Sequence, residues 1–208
     1  GLLTKTKRSL DGLITTKLIN YESRPALLGI ITDITARKRT ERLLQALNSA
    51  SAAMAQAQSP DEIFAAAGER FQRFGFHSVV FFFDEDEHSL ALHYTSYEAP
   101  VLEQLKSTIG VEWKDISLPV EDGGVLDEII MSRHTVFSTA RESFQRNFPR
   151  LEGDSVARMI ELLRVTKAVS APLVPEDKVM GMLSVQSDDL AADDTPAVTA
   201  FANQMAMA

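Results

Sequence analysis

Two apolar runs, residues 168–174 and 179–185, flank the turn-forming residues Pro175, Glu176, Asp177 and Lys178. Apolar runs of this length bounded by turn residues predict two strands joined by a short hairpin. Pro172 lacks the N–H that a sheet ladder needs and predicts an edge or bulged position. Gly181 predicts a place where another backbone comes close.

Upstream, residues 13–19 alternate weakly and residues 26–34 run apolar, with residues 20–25 between them. That predicts a β-hairpin, preceded by a short strand near residues 2–7 with Asp11-Gly12 as the turn. Two or three strands bury no core alone, so this reads as the tail of a domain that begins earlier. In residues 31–44, ITDITARKRTERLL, Asp33 or Thr35 caps a helix whose good formers start at Ala36. Leu43, Leu47, Ala50, Met54 and Ala57 follow steps of four and three, an a/d seam of about two heptads. Such a seam serves a coiled coil or a helix packing on its own domain equally well. Ser59-Pro60-Asp61-Glu62 is a helix start with a capping box, Ile63, Ala67, Phe71 and Phe74 form the apolar stripe, and Gly75 is the stop.

Residues 79–83, VVFFF, predict a buried strand, and residues 84–88 an acidic turn. The returning strand places Leu90, Leu92 and Tyr94 on one face and Ala91, His93 and Thr95 on the other. A short helix follows near 101–106, then a strand at 113–120. Asp122-Gly123-Gly124 opens a helix with Val125, Leu126, Ile129 and Ile130 inward. An extended piece at 135–138, a polar, partly helical excursion over 139–155, and a helix with Val156, Met159, Ile160 and Leu163 inward lead to the hairpin. Beyond it, an acidic loop at 188–194 precedes a last helix with Thr195 as cap, Pro196 in the first turn, and Val198, Phe201, Ala202 and Met205 buried.

The 208 residues make room for one well-cored domain plus a fragment, or two small domains. At 45% hydrophobic and 24% charged the composition is that of a soluble globular chain. No apolar run approaches the roughly 20 residues that span a bilayer, no secretory signal opens the chain, and no membrane contact is expected. The chain starts without Met and stops inside a helical pattern, which predicts a segment of a longer protein. The absence of cysteine excludes disulfides, thiolate metal sites and thiol catalysis here and fits a cytoplasmic location. Residues 1–50 carry nine Lys/Arg against four Asp/Glu, the remainder 12 against 25. A balance of +5 followed by −13 predicts two units, and the acidic larger one argues against nucleic acid as a partner.

From residue 41 onward, the order is helix, helix, hairpin, strand, helical excursions, hairpin, helix. It closes with KAVSAPLVPEDKVMGMLSVQ (167–186) and AFANQMAMA (200–208). This resembles a GAF domain, whose C-terminal signature matches Ala171-Pro172-Leu173, the Gly-x-Leu-x-Val of residues 181–185, and Ala202-Asn203-Gln204. The resemblance covers residues 41–208. It implies an α+β fold: a GAF-like central antiparallel sheet of about six strands with helices on both faces. The first and last helices pack on one side, and shorter helices and loops cover a pocket on the other. RPALLGIITDITARKRTERLL (24–44) resembles the end of a PAS domain, with Gly29 to Arg37 similar to its last strand and the Asp-Ile-Thr motif that leads into a signalling helix. The resulting division is 1–35 as the C-terminal strands of a truncated PAS domain, 36–58 as a linker or signalling helix merging into the first GAF helix, and 41–208 as the GAF domain. A PAS–GAF tandem is similar to the sensory half of bacterial histidine kinases and related two-component regulators. It implies an output domain downstream in the same chain and a parallel homodimer through the terminal helices.

No catalytic signature stands out, so the segment is expected not to be an enzyme. His77, His88, His93 and His134 are scattered without zinc-motif spacing, although a haem needs only one axial His. The run 84–87 lacks the spacing and central Gly of a calcium loop. None of Ser138, Ser143, Ser155, Ser170 and Ser184 lies in G-x-S-x-G, and Gly123-Gly124 lacks the Lys-Ser/Thr of a phosphate loop. Within the resembled family, covalent bilin attachment and the free methionine sulfoxide reductase activity need cysteines, and the Asn-Lys-x-Phe-Asp-Glu pattern of cyclic-nucleotide-binding members is not visible. A noncovalent small ligand stays open. Phe81 and Phe83 share a sheet face by alternation, and in similar domains Trp113, Phe144 and Phe148 come from the covering segments. With Ser170 and Gln186 as polar groups, these residues form a candidate ligand pocket. The same aromatics equally suit a filled core, which would leave a ligand-free dimerisation or spacer module.

Overall fold

A computed structural model describes residues 2–3, 9–84, 88–110, 112–120, 125–148 and 151–208. The chain divides into two compact units, residues 1–43 and 44–208.

In the first unit β1 (Leu2–Leu3) pairs with β2 (Ser9–Leu10). β3 (Gly12–Tyr21) pairs antiparallel with β4 (Arg24–Asp33) along its whole length. Residues 4–8 lie outside the described residues, and with them most of the strand expected near 2–7. Glu22 and Ser23 both have positive φ, 49° and 60°, the backbone of a two-residue turn that matches strand twist. Because two residues suffice to reverse the chain, most of the 20–25 stretch pairs in the ladder rather than looping out. The register puts Leu18 opposite Leu27 and Ile14 opposite Ile31 on one face. Alternation sends Leu28 and Ile30 to the other face, and all six are exposed. The Asp-Ile-Thr stretch ties the hairpin to the following helix. Asp33 Oδ1 accepts from the Thr35 N–H at 2.9 Å, Thr35 Oγ1 accepts from the Asp11 N–H at 2.9 Å, and Ile34 N donates to the Asp11 carbonyl at 2.8 Å.

Helix α1 (Thr35–Met54) runs from the first unit into the second. Leu47, Ala50 and Met54 of the seam are buried within this single chain, so the a/d spacing serves the domain's own core. α2 (Pro60–Arg73) starts as expected, with Ser59 Oγ accepting from the Glu62 N–H. The Glu62 carboxylate, however, reaches back to the Gln58 N–H at 2.8 Å rather than to that of Ser59.

The sheet of the second unit has six antiparallel strands: β5 (His77–Phe83), β6 (Ser89–Thr95), β7 (Ser117–Pro119), β8 (Val136–Thr139), β9 (Lys167–Leu173) and β10 (Gly181–Gln186). Their spatial order is β7-β6-β5-β10-β9-β8. The strand expected over 113–120 is a 3₁₀ turn at Trp113–Asp115 followed by three strand residues. β9 is not an edge strand, yet Pro172 is tolerated. β8 pairs only as far as Ser170, so no neighbour on that side asks for the missing N–H.

One face of the sheet carries α2 and the last helix, α7 (Thr195–Met207). Phe71 of α2 meets Phe201 of α7 edge-on at 5.2 Å, and α7 lies along β9. Ser51 Oγ of α1 donates to Gln204 of α7 at 2.7 Å. Thr195 is the first helical residue rather than the cap, and its hydroxyl bonds back to the Ala192 carbonyl. The other face is covered by α3 (Ala99–Ile109), α4 (Val125–Ser132), α5 (Ala140–Asn147) and α6 (Gly153–Leu163), which bury Leu105, Ile129, Phe144, Val156 and Met159 against Phe81, Leu90 and Met182. Residues 121–124, expected to open α4, lie outside the described residues. Among the described residues no helix is long and apolar enough to cross a membrane.

A register shift between Val80 and Phe81 changes which side chains face the helices. Across it Val80 pairs with Tyr94 but Phe81 with Leu92, leaving His93 as the extra residue. The extra residue reverses the alternation. Leu90 and Leu92 therefore share a face with Thr95, not with Tyr94 as simple alternation predicts. Tyr94 instead reaches α2 at Gly68, where a Cβ would overlap its ring, and His93 meets Phe64 and Phe82 at 5.5 and 5.0 Å.

A Cβ at Gly181 would collide with the Phe81 carbonyl on β5, so Gly181→Ala must push two central strands apart and lose about 1–3 kcal/mol in denaturant unfolding. Gly153→Ala, where a Cβ meets nothing, serves as the control, and equal stability of the two variants would contradict the close approach. His77 opens β5 with its ring stacked on Tyr97 at 4.2 Å and 15°. Burial holds its pKa below the ordinary value, against a smaller opposing pull from Glu98. Below about pH 6.5 the unfolded chain takes up this proton before the folded one does, so the stability is full above that pH and declines as the pH falls towards the depressed value. His77→Gln should flatten this part of a Tm-versus-pH curve; an unchanged slope would assign it elsewhere.

Candidate functional site

Between the sheet and its cover of short helices lies a cavity of about 80 Å³. Its floor is Val79 and Phe81 of β5 with Met182 of β10, three positions that alternation points the same way. Trp113, Phe144 and Phe148 close it from the covering segments, with Met159 and Leu163 of α6 behind them. Trp113 and Phe148 are only half buried. The exposed Lys106–Glu112 ion pair ties the end of α3 to the turn that carries Trp113. A recess of about 20 Å³ under α4, lined by Leu126, Val136 and Ser138, adjoins it through Ser143, Asn147, Ser170 and Met182.

The polar groups form a column along β9 and β10. Ser170 and Ser184 are directly opposite in the ladder, and Ser170 Oγ donates to Ser184 Oγ at 3.2 Å. Gln186 Nε2 donates to the same Ser184 oxygen at 3.4 Å. Tyr97 Oη donates to Gln186 Oε1 at 2.8 Å, and burial pushes the phenol pKa far above its ordinary value, with Asp188 adding to the effect. The phenol therefore remains a donor and fixes which way the Gln186 amide points. Thr95, Ser143 and Asn147 complete the polar lining, and none of the described lining residues is charged. No His, Lys, Asp or Glu among them stands beside a serine as a base.

Of the residues proposed from sequence, Phe81, Trp113, Phe144, Phe148, Ser170 and Gln186 converge on this cavity and Phe83 does not. Phe83 shares the face of Phe81 but lies two residues, roughly 6.6 Å, further along the strand. There it lines a separate open surface groove with His88, Ile130 and Arg133. Arg133 closes that groove's edge through its bond to the Asp177 carbonyl at 2.5 Å. Sequence reasoning missed Tyr97, Ser143, Asn147 and Ser184 as lining residues. Ser184 lay one residue out of reach: a hairpin centred on residues 175–178 pairs Ser170 with Leu183, and only the observed register, centred on Asp177, sets Ser170 opposite Ser184. Tyr97 sits in a connection after β6 and carries no comparable signal.

The family model of the GAF domain matches residues 57–208. No curated protein sequence matches the chain. Among solved structures, the GAF domain of an Acinetobacter phosphoenolpyruvate-protein phosphotransferase is similar at 13% identity and a TM-score of 0.55, covering 79% of this chain and 90% of its own. A methyl-accepting chemotaxis protein, residues 122 to 287, is similar at 19% identity and a TM-score of 0.52, covering 76% and 93%. The free methionine-R-sulfoxide reductase of Neisseria meningitidis, solved with its substrate, is similar at 13% identity and a TM-score of 0.56, covering 82% and 89%. Identities this low carry the fold alone, and the fold they carry is the one built above. With the family model spanning residues 57–208, the chain belongs to the GAF domain family.

Proposed function

We propose that this chain is the sensory segment of a cytoplasmic bacterial signalling protein, of the histidine kinase kind. In this reading a small molecule held noncovalently in the GAF cavity biases the terminal helices. The observation that carries the proposal is the partly polar cavity whose floor strand, β10, continues through residues 187–194 into α7. The Ser51–Gln204 bond sets α1 beside α7, so a displacement of the exit helix is felt by the helix that leads in. Packed helices transmit small shifts of this kind. Among the described residues no base stands beside the cavity serines, which favours binding over catalysis.

The first unit supports a PAS end. A hairpin apolar on both faces is not stable by itself and calls for further sheet and helices around it. The Asp-Ile-Thr stretch clamps that hairpin to α1 as a signalling connection requires. A parallel homodimer through α1 and α7 belongs to the same proposal. It must use side chains outside the buried seam, such as the exposed Leu44 and Met207.

A second reading, a ligand-free spacer, draws on the small size of the cavity, since the aromatic side chains already fill much of the space. Native mass spectrometry of the protein from its own cells separates the two. A co-purifying small molecule that is lost in Ser184→Leu supports the sensor, whereas an empty wild-type protein supports the spacer. Hydrogen exchange in α7 should slow by several-fold on binding. Light scattering of a chain with both terminal helices complete should give the dimer mass, and a strict monomer would remove the dimer from the proposal.

A further inference from the structure

We infer that the occupant of the cavity is a small uncharged molecule with an apolar body about one ring in size and, on one edge, a hydrogen-bond acceptor beside a donor, as in a primary carboxamide or a lactam. This rests on reading the cavity as a ligand site and names the chemistry that site takes.

A desolvated ion without a counter-charge is strongly disfavoured, and the described lining offers no Lys, Arg, His, Asp or Glu. A carboxylate, phosphate or ammonium would enter without a partner. The apolar walls set by Phe81, Leu92, Trp113, Phe144 and Met182 suit a flat hydrocarbon body.

A serine hydroxyl has one O–H and two lone pairs. Ser184 accepts from both Ser170 and Gln186, which occupies both lone pairs and leaves its own O–H to be donated. Among the described residues no acceptor takes that proton, although Ser184 is only 4% exposed. The second N–H of Gln186 Nε2 is likewise available, because Tyr97 holds the amide oxygen. Ser170, 8% exposed, keeps acceptor capacity on its oxygen. The column therefore presents donors at Ser184 and Gln186 and an acceptor at Ser170. A carbonyl oxygen beside an N–H answers both. A buried donor left unmade is costly, so the column matches a polar edge on the occupant.

Benzene enters an apolar cavity of about 150 Å³, and this one holds about 80 Å³. A single-ring occupant needs the half-buried Trp113 or Phe148 to give way, whereas a nucleotide or tetrapyrrole would need the cover rebuilt.

The test compares benzamide, benzoate and toluene, which share a ring and differ in charge and polar edge. Isothermal titration of the whole chain, wild type and Ser184→Ala, reads the affinities. Benzamide should bind at least tenfold tighter than benzoate and tighter than toluene. Ser184→Ala should weaken benzamide by about tenfold, the equivalent of one hydrogen bond, and leave toluene unchanged. A Tm equal to wild type without ligand shows that the variant is folded. Benzoate binding as tightly as benzamide, or benzamide binding unaffected by Ser184→Ala, overturns the assigned chemistry and leaves the sensor reading standing. No binding by any of the three also overturns it. A co-purifying molecule in the native mass spectrum then shows whether the wider reading survives, and an empty spectrum ends both.

Discussion

The second unit depends on β10 being buried on both faces and paired along both edges. Gly181, Met182, Leu183, Ser184 and Val185 are all buried, with β5 on one side and β9 on the other. A strand so placed has no freedom of register, because a slip of one residue would exchange Met182 and Ser184 with Leu183 and Val185 and turn the polar column into the helix-packing face. Gly181 fixes the end of the strand where β5 comes closest. Met182, Ser184 and the amide of Gln186 are therefore held by a strand fixed on both edges, with Ser170 on β9 and Phe81 on β5 paired directly to it, and rigid elements hold site geometry better than loops do.

Legibility in the sequence followed how local the determining physics is. The hairpin of β9 and β10, the start of α2 at Ser59-Pro60, and the buried face of α7 at Val198, Phe201, Ala202 and Met205 all rest on turn chemistry, capping and periodicity within a few residues, and each was readable. The six-stranded sheet followed from the family resemblance. What escaped reading was set by partners distant in sequence. The register shift at Val80/Phe81 reverses Tyr94 and His93 because α2 approaches at Gly68, and nothing in residues 89–95 announces that approach. Pro172 implied an edge, and only the short reach of β8 explains how an interior strand tolerates it. The 3₁₀ turn at Trp113 replaced part of a strand because Trp113 is drawn over the cavity instead of into a ladder.

The cavity was legible to the extent that its parts were large and apolar. Aromatic residues in covering segments advertise themselves, and Phe81, Trp113, Phe144 and Phe148 were found that way, while Phe83 shows that sharing a face is not sharing a site. The polar half was harder to find because small residues leave weak patterns. Ser143 and Asn147 lie in a helix whose orientation depends on the packing of α5 against α6, and Tyr97 acts from a connection.

The serine pair also separates what the fold requires from what it carries. At positions 170 and 184 a folding core needs only small residues that fit between β8, β9, β10 and β5, and Ala or Val would meet that need without desolvating a hydroxyl. Two facing buried serines, joined to an amide that a tyrosine orients, leave one O–H without an acceptor among the described residues. Packing gives no reason to prefer that arrangement over an apolar one. The same residues supply the cavity with directional groups, two of them, Ser184 and Gln186, on the strand that leads by the shortest covalent path to α7. The mismatch between the apolar demand of the core and the polar character of these positions is the physical ground for treating the cavity as a site and not as a packing defect.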